Sequence, residues 1–382
     1  MLQRVGWPQV FALLLLSAFV LQALWVIDRT PLRLGEAAYA QAGLDQLGGK
    51  VLPRDSGAQP VPAVLAGAPV MMAKRISLPL SPDSLKWLLR LPFVGIGWLL
   101  GASIWYVARR LYGNSGGYIA LALYCFSPAI FFSSPGPLLT GSLGIFGMVF
   151  VAIAASHTLY APAGTAFSEL RSRWRRIVLL GLAIALGAGS GWWAIALAVL
   201  GLGFMLYLVP ERRPASIGLV VSSCVVAAIL LLACYGFRPR AFASAIAQAE
   251  VLPPGGMIVS EVLRAYATGI RHAENAVLLL LVAIALGGYF AWSRCRYFGN
   301  TAPLLSLVTI SALGFIAFAD IFVGPFPFRA TPFLYVFVGG IFADLLESSI
   351  AKLFGIICLG LIAAYATVSF LALARASIGA LP

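Results

Sequence analysis

Residues able to do polar chemistry are sparse in this chain, and the densest group comes early, in Arg33-Leu34-Gly35-Glu36-Ala37-Ala38-Tyr39-Ala40-Gln41-Ala42. Glu36 and Tyr39 stand three residues apart, which on a helix sets them on one face. Ala37, Ala40 and Leu44 form a second face that suits a helix lying at a lipid boundary. A carboxylate presented this way can act as base toward a hydroxyl or orient a reactant. It can equally do no more than charge the first turn of an exposed helix, where it complements the macrodipole. His157 and His272 lie far apart in the sequence, and the five cysteines, Cys125, Cys224, Cys234, Cys295 and Cys358, show no metal-ligand spacing. Neither a metal site nor a nucleophilic triad is therefore expected, and the cysteines are expected to be free thiols.

The elements that must position these residues are membrane helices. Of the 382 residues 61% are hydrophobic and 10% charged, which excludes an ordinary soluble domain. The apolar runs are of helix length and lack the alternation of barrel strands, so an all-α polytopic bundle is the expected fold. Reading the runs in order gives Trp7 to Ile27, Trp87 to Val107, Gly116 to Ser134, Leu138 to Tyr160 and Ile177 to Val209. The last of these is a hairpin broken at Gly187-Ala188-Gly189-Ser190-Gly191. Then follow Ala215 to Gly236, Asn275 to Trp292, Ala302 to Val323, Arg329 to Leu345 and Leu353 to Ala374, about 11 spans in all. Between the first two spans, residues 28–84 form one large loop that holds the Glu36 turn, the Gly48-Gly49 break and a Pro-rich interfacial segment ending at Lys74-Arg75. The first span has no cleavage site before Asp28 and is expected to be retained.

Charge sets the orientation. The chain has 26 Lys and Arg against 13 Asp and Glu, a net +13. Twelve cations, among them Arg4, Arg109, Arg110, Arg171, Arg173 and Arg212, gather in short loops on one side, which is expected to be cytoplasmic with the N-terminus. The other 14 lie elsewhere, and the opposite face, including Arg33, Arg238, Arg240 and Arg329, carries only nine acids. That surplus points to an anionic ligand at the membrane boundary, a lipid phosphate above all. Headgroup attraction and snorkelling account for single residues such as Lys74 and Arg75. The cations are scattered among helix ends, not gathered on one soluble face, so no nucleic-acid partner is expected. Asp320 falls inside a span, where an acid is a functional candidate by default.

The order of motifs resembles a family. A first helix is followed by Gly35-Glu36-Ala37-Ala38-Tyr39-Ala40, then a Pro-containing interfacial segment, then Leu89-Arg90-Leu91-Pro92-Phe93. After these come Ala108-Arg109-Arg110-Leu111-Tyr112-Gly113 and Ala122-Leu123-Tyr124-Cys125-Phe126-Ser127-Pro128. This resembles the N-terminal module of GT-C glycosyltransferases, in the branch of protein mannosyltransferases and aminoarabinose lipid A transferases. The likeness runs through about residue 160 and extends to the 177–209 hairpin. Pro327-Phe328-Arg329-Ala330-Thr331-Pro332 is similar to the family's late outer-face Arg or His segment. The resemblance implies one membrane domain, with a GT-C-like module over 1–160 and a variable helical part over 161–382.

It further implies transfer of a sugar from a polyprenyl-phosphate carrier to an extracytoplasmic acceptor, in a multi-pass protein of the bacterial inner membrane. Glu36 takes the second place of the family's acidic pair as the catalytic acid. Arg33, Tyr39, Arg238, Arg240 and Arg329 serve substrate and lipid phosphate, with Asp320, Lys74 and Arg75 as further candidates. No cofactor is certain, and a divalent metal is the one the resemblance admits. Three departures carry an alternative. Gly35 fills the first place of the acidic pair, Leu138-Leu139-Thr140-Gly141-Ser142 lacks the family's acid, and Gly189-Ser190-Gly191 replaces its Lys. A chain of 382 residues is also expected to lack the soluble C-terminal domain of some members. The alternative is a non-catalytic GT-C-like subunit or lipid-binding scaffold working with other membrane subunits.

Overall fold

A computed structural model describes residues 6–32, 34–50, 59–77, 81–159, 173–191, 213–248 and 273–291, short pieces of 304–311, and residues 326, 328–348 and 352–378. Among the described residues the regular structure is helical throughout. In chain order the helices are α1 (Trp7–Arg29), α2 (Leu34–Leu47), α3 (Pro60–Arg75), α4 (Pro82–Cys125), α5 (Pro128–Ser133) and α6 (Leu138–Leu159). They continue as α7 (Trp174–Gly189), α8 (Arg213–Cys234), α9 (Pro239–Gln248), α10 (Ala273–Ala291), α11 (Thr331–Glu347) and α12 (Lys352–Ile378). Seven of the described helices are long and apolar enough to cross a membrane. The chain is a multi-pass integral membrane protein.

Two of the expected spans, Trp87 to Val107 and Gly116 to Ser134, fall on α4, a helical run of 44 residues whose break is the single residue Gly113 (φ 79°, ψ −174°). The second of them stops at Cys125, because Ser127-Pro128 starts the short α5. The first arm of the expected 177–209 hairpin is α7, which ends in the glycine cluster at Gly189. Its second arm, and most of the expected span from Ala302 to Val323, lie outside the described residues.

The chain divides into two compact units. One comprises Met1–Thr30, Gly97–Pro135 and Gly255–Pro382, and the other Pro31–Ile96 and Gly136–Pro254. In the first unit α11 is buried along Thr331–Leu345 on every side, which fits its apolar composition and the absence of a polar face. Tyr335 Oη donates to Ser127 Oγ at 2.9 Å, and Tyr124 Oη donates to the Gly97 carbonyl at 2.7 Å, so these two buried tyrosine hydroxyls are satisfied. Arg329, 6% exposed, sits in the 3₁₀ turn Phe328–Ala330 that leads into α11.

In the second unit α2 crosses α3 backbone to backbone. A Cβ on Gly43 would collide with the Ala63 carbonyl, and one on Gly67 would stand 2.8 Å from the Gly43 carbonyl carbon, so two glycines set the closeness of this crossing. Ala40, Ala66, Val70, Leu89 and Phe93 close over it as a small core, with Leu44 partly buried against them. The face of α2 bearing Ala40 and Leu44, expected against lipid, is thus covered by protein. The apolar faces of α3 and the start of α4 reach it first, because the glycines let the backbones approach.

Candidate functional site

Helix α2 is fastened at both ends and in the middle. Glu36 lies in its first turn, where a carboxylate complements the helix dipole. Arg90, 2% exposed on α4, meets it with a fork: Nε donates to Oε2 and Nη2 to Oε1, both at 3.0 Å. Nη2 also donates to the Pro31 carbonyl at 2.8 Å, which ties down the chain entering α2. The guanidinium sits between Leu89 and Leu91 in sequence and beside the small core. A charge in such a setting has to be matched by an anion and hydrogen bonds, and Glu36 supplies both. The Glu36 side chain keeps 30% of its surface exposed. A carboxylate offers about four lone-pair sites, so the two that Arg90 occupies leave an outer edge able to accept from a hydroxyl.

One turn before Arg90, Lys86 is buried along its stem, with Nζ 3.6 Å from an Asp83 carboxylate that is 90% exposed. Its charged head reaches toward the wet end of α4. At the middle of α2 the Tyr39 oxygen accepts the Gln59 backbone N–H at 2.9 Å, joining the helix to the start of α3. Burial pushes the Tyr39 hydroxyl above its ordinary value of 10.0, and the bond from Gln59 partly offsets this.

The C-terminal end of α2 is a glycine cap. The Gly48 N–H donates to the Leu44 carbonyl and the Lys50 N–H to the Asp45 carbonyl, with Gly49 between them in the left-handed region (φ 82°). Arg238 Nη1 donates to the Gly48 carbonyl at 2.6 Å, and its guanidinium lies so close over Gly49 that a Cβ there would overlap it. Gln46 Nε2 donates to the Cys234 carbonyl at 3.2 Å.

Of the residues singled out in the sequence, Glu36 and Tyr39 share α2 near Arg90. Arg238 and Arg240 gather at the other end. Gly48 is twelve residues beyond Glu36, so about 18 Å of helix separates them. Lys74 and Arg75 are exposed in the last turn of α3, where positive charge favours the helix terminus. Arg329 belongs to the other unit, and Arg33 and Asp320 lie outside the described residues. Arg90, within Leu89-Arg90-Leu91-Pro92-Phe93, is a residue of this site outside the candidates expected from the sequence. The signal for it was available, since an arginine among leucines and a phenylalanine at the start of a span implies a buried anionic partner. Among the described residues no three His, Cys, Asp or Glu converge, and both Glu36 oxygens already face a cation.

No family model and no curated protein matches the sequence. Solved structures do match in fold. The archaeal oligosaccharyltransferase AglB from Archaeoglobus fulgidus, in complex with an inhibitory peptide and a dolichol-phosphate, is similar at a TM-score of 0.62 and 14% identity, over 97% of this chain and 56% of that one. The apo form of the Archaeoglobus fulgidus oligosaccharyltransferase gives 0.61 and 13%, over 95% and 56%. The form tethered to an acceptor peptide containing the NVT sequon gives 0.54 and 14%, over 95% and 55%. The chain thus spans about half the length of the proteins it matches. At this identity the likeness is one of fold: the chain has a GT-C-type membrane fold, as its N-terminal motifs led us to expect.

Proposed function

We propose that this chain is a GT-C-type glycosyltransferase that moves a sugar from a polyprenyl-phosphate carrier to an extracytoplasmic acceptor, with Glu36 as its acidic group. The observation that carries the reading is Glu36 itself, a carboxylate fixed by a buried arginine in the first loop of a GT-C fold, with one edge left open. The AglB structure holds a dolichol-phosphate, which supports a lipid carrier as donor class.

In this reading the acceptor hydroxyl oxygen attacks the anomeric carbon. The bond from that carbon to the carrier phosphate breaks, the phosphate leaves with the electron pair, and the hydroxyl proton passes to Glu36. Arg90 is a positioning residue that holds the carboxylate in place. The test is sugar transfer in membranes by Glu36→Gln beside the parent chain. Transfer is expected to be abolished while the protein stays folded, and retained transfer removes Glu36 from the mechanism.

A second reading is a non-catalytic subunit of the same fold. Gly35 at the first acidic place and the engagement of both Glu36 oxygens by Arg90 favour it. Purification as a fixed part of a larger membrane complex with no turnover of sugar lipids would decide for it.

A further inference from the structure

The turn joining α8 to α9 is built differently from the other helix ends described here. The α8 span closes at Cys234, and two consecutive residues, Gly236 (φ 60°) and Phe237 (φ 57°), then adopt the left-handed region. Glycine does so freely, but a bulky phenylalanine does so at a cost that the surroundings must offset. The result is a Phe237 ring that is 63% exposed three residues past the end of a membrane span, at the depth where aromatic side chains settle among headgroups. Beside it opens a cleft of about 660 Å³ lined by Gly49, Phe237, Arg238, Arg240 and Ser244. Arg238 spends Nη1 on the Gly48 carbonyl, which fixes the guanidinium at the cleft wall and leaves its other donors.

We propose that this cleft is a standing site for the headgroup phosphate of an anionic membrane phospholipid, held by Arg238 and Arg240 while Phe237 lies against the acyl chains. Its place on α2 separates it from the chemistry at Glu36. Sugar transfer breaks the bond between the anomeric carbon and a phosphate oxygen, so the reacting phosphate lies within a few bond lengths of that carbon. A phosphate in this cleft is about 18 Å of helix away from the carboxylate. The site therefore takes a lipid other than the donor in reaction, and it stands whether or not Glu36 is catalytic.

The test uses the full chain, delipidated and returned to mixed micelles of phosphatidylglycerol and phosphatidylcholine at equal mole fraction, with bound lipid counted by native mass spectrometry. The parent chain is expected to retain one phosphatidylglycerol in preference to phosphatidylcholine. Arg240→Gln, which leaves the Arg238 bond to Gly48 untouched, is expected to weaken that retention about tenfold, as loss of one charge-assisted contact implies. Lys50→Gln removes the same charge from an exposed neighbour in the 28–84 loop and is expected to change nothing. Phe237→Ala is expected to lower lipid retention while leaving competition by inorganic phosphate unchanged, which separates a lipid from a free ion. Equal losses in Arg240→Gln and Lys50→Gln overturn the site in favour of general charge attraction. Retention of phosphatidylcholine equal to phosphatidylglycerol by the parent chain overturns it outright.

Discussion

Removing Arg90 and removing Glu36 have unequal consequences, and the inequality follows from burial. The fork consists of two charge-assisted bonds at 3.0 Å, with a third bond to the Pro31 carbonyl at 2.8 Å. Bonds to charged groups contribute about 1.5–3 kcal/mol each, so the two in the fork have a gross value of about 3–6 kcal/mol. In Arg90→Met the apolar side chain fills much of the same space, and Glu36, 30% exposed, recovers water along its open edge. The net loss is then about 1–2 kcal/mol. In Glu36→Leu the guanidinium stays behind at 2% exposure without the Glu36 carboxylate, and the loss is about 3 kcal/mol or more. Changing both residues restores most of it, since an apolar pair of similar volume replaces an ion pair at little cost. The assay is hydrogen exchange of peptides covering Leu34–Leu47 in detergent, because the pair fastens the start of α2 without crossing the rest of the fold. Exchange there should quicken about fivefold to thirtyfold in Arg90→Met and a hundredfold or more in Glu36→Leu, at a factor of ten per 1.4 kcal/mol. The double variant should lie near the parent chain. Equal exchange in all four proteins, or a double variant that is the sum of the singles, would refute the view that this pair fixes α2.

Three further outcomes test the surroundings of that pair. Gly43→Ala places a methyl group against the Ala63 carbonyl at a backbone crossing, and should cost about 2–3 kcal/mol, read as a lower apparent melting temperature in detergent. Tyr39 holds its proton more tightly folded than unfolded, because burial outweighs the bond from Gln59; its contribution is complete below pH 10.0 and is lost as pH rises toward the higher folded value. Tyr39→Phe should therefore flatten the loss of α2 protection above pH 10.0, although it weakens α2 by about 1 kcal/mol at neutral pH through the stranded Gln59 N–H. Gly35→Asp restores an acid at the first place of the pair, and nothing lies within 4 Å of the Cβ it would add. It should fold with unchanged or slightly raised stability, as an added acid in a first helical turn implies. A melting temperature several degrees below the parent's would show that Gly35 is required sterically.

Length and apolarity made the helices legible, because in lipid a run of about 20 apolar residues has few alternatives to a helix. α1, α6, α8, α10, α11 and α12 follow the apolar runs closely, and the Gly48-Gly49 and Gly189 breaks mark real helix ends. The two spans expected on α4, Trp87 to Val107 and Gly116 to Ser134, lie on either side of the break at Gly113; only its sharpness was not legible, since the kink needs one residue. Glu36 stood out by type and by being nearly alone. Its partner did not, because the contact spans 54 positions and no local period connects a loop carboxylate to an arginine on a later helix. The same blindness grouped Arg238 and Arg240 with Glu36: one outer face was assigned to all three, and only the helix between them shows that they occupy opposite ends.

The fastening of α2 constrains how any ligand can reach Glu36. Three elements hold the helix through different bonds: α4 by the Arg90 fork, α3 by the Tyr39 hydroxyl and the glycine crossing, and the α8–α9 turn by Arg238 and the Cys234 carbonyl. Sliding α2 along its axis would break the fork and the Gly48 bond together, whereas rotating it would drive the Gly43 surface into Ala63. A ligand at this end must therefore come to a stationary carboxylate and use its open edge, or take one Arg90 N–H from the fork while the guanidinium keeps its other bond to Glu36 and the Pro31 carbonyl. The second route keeps the guanidinium matched throughout, since an incoming anion replaces the bond it displaces. An uncharged hydroxyl can use only the first. In the proposed reaction a neutral acceptor hydroxyl would therefore use the outer edge of Glu36.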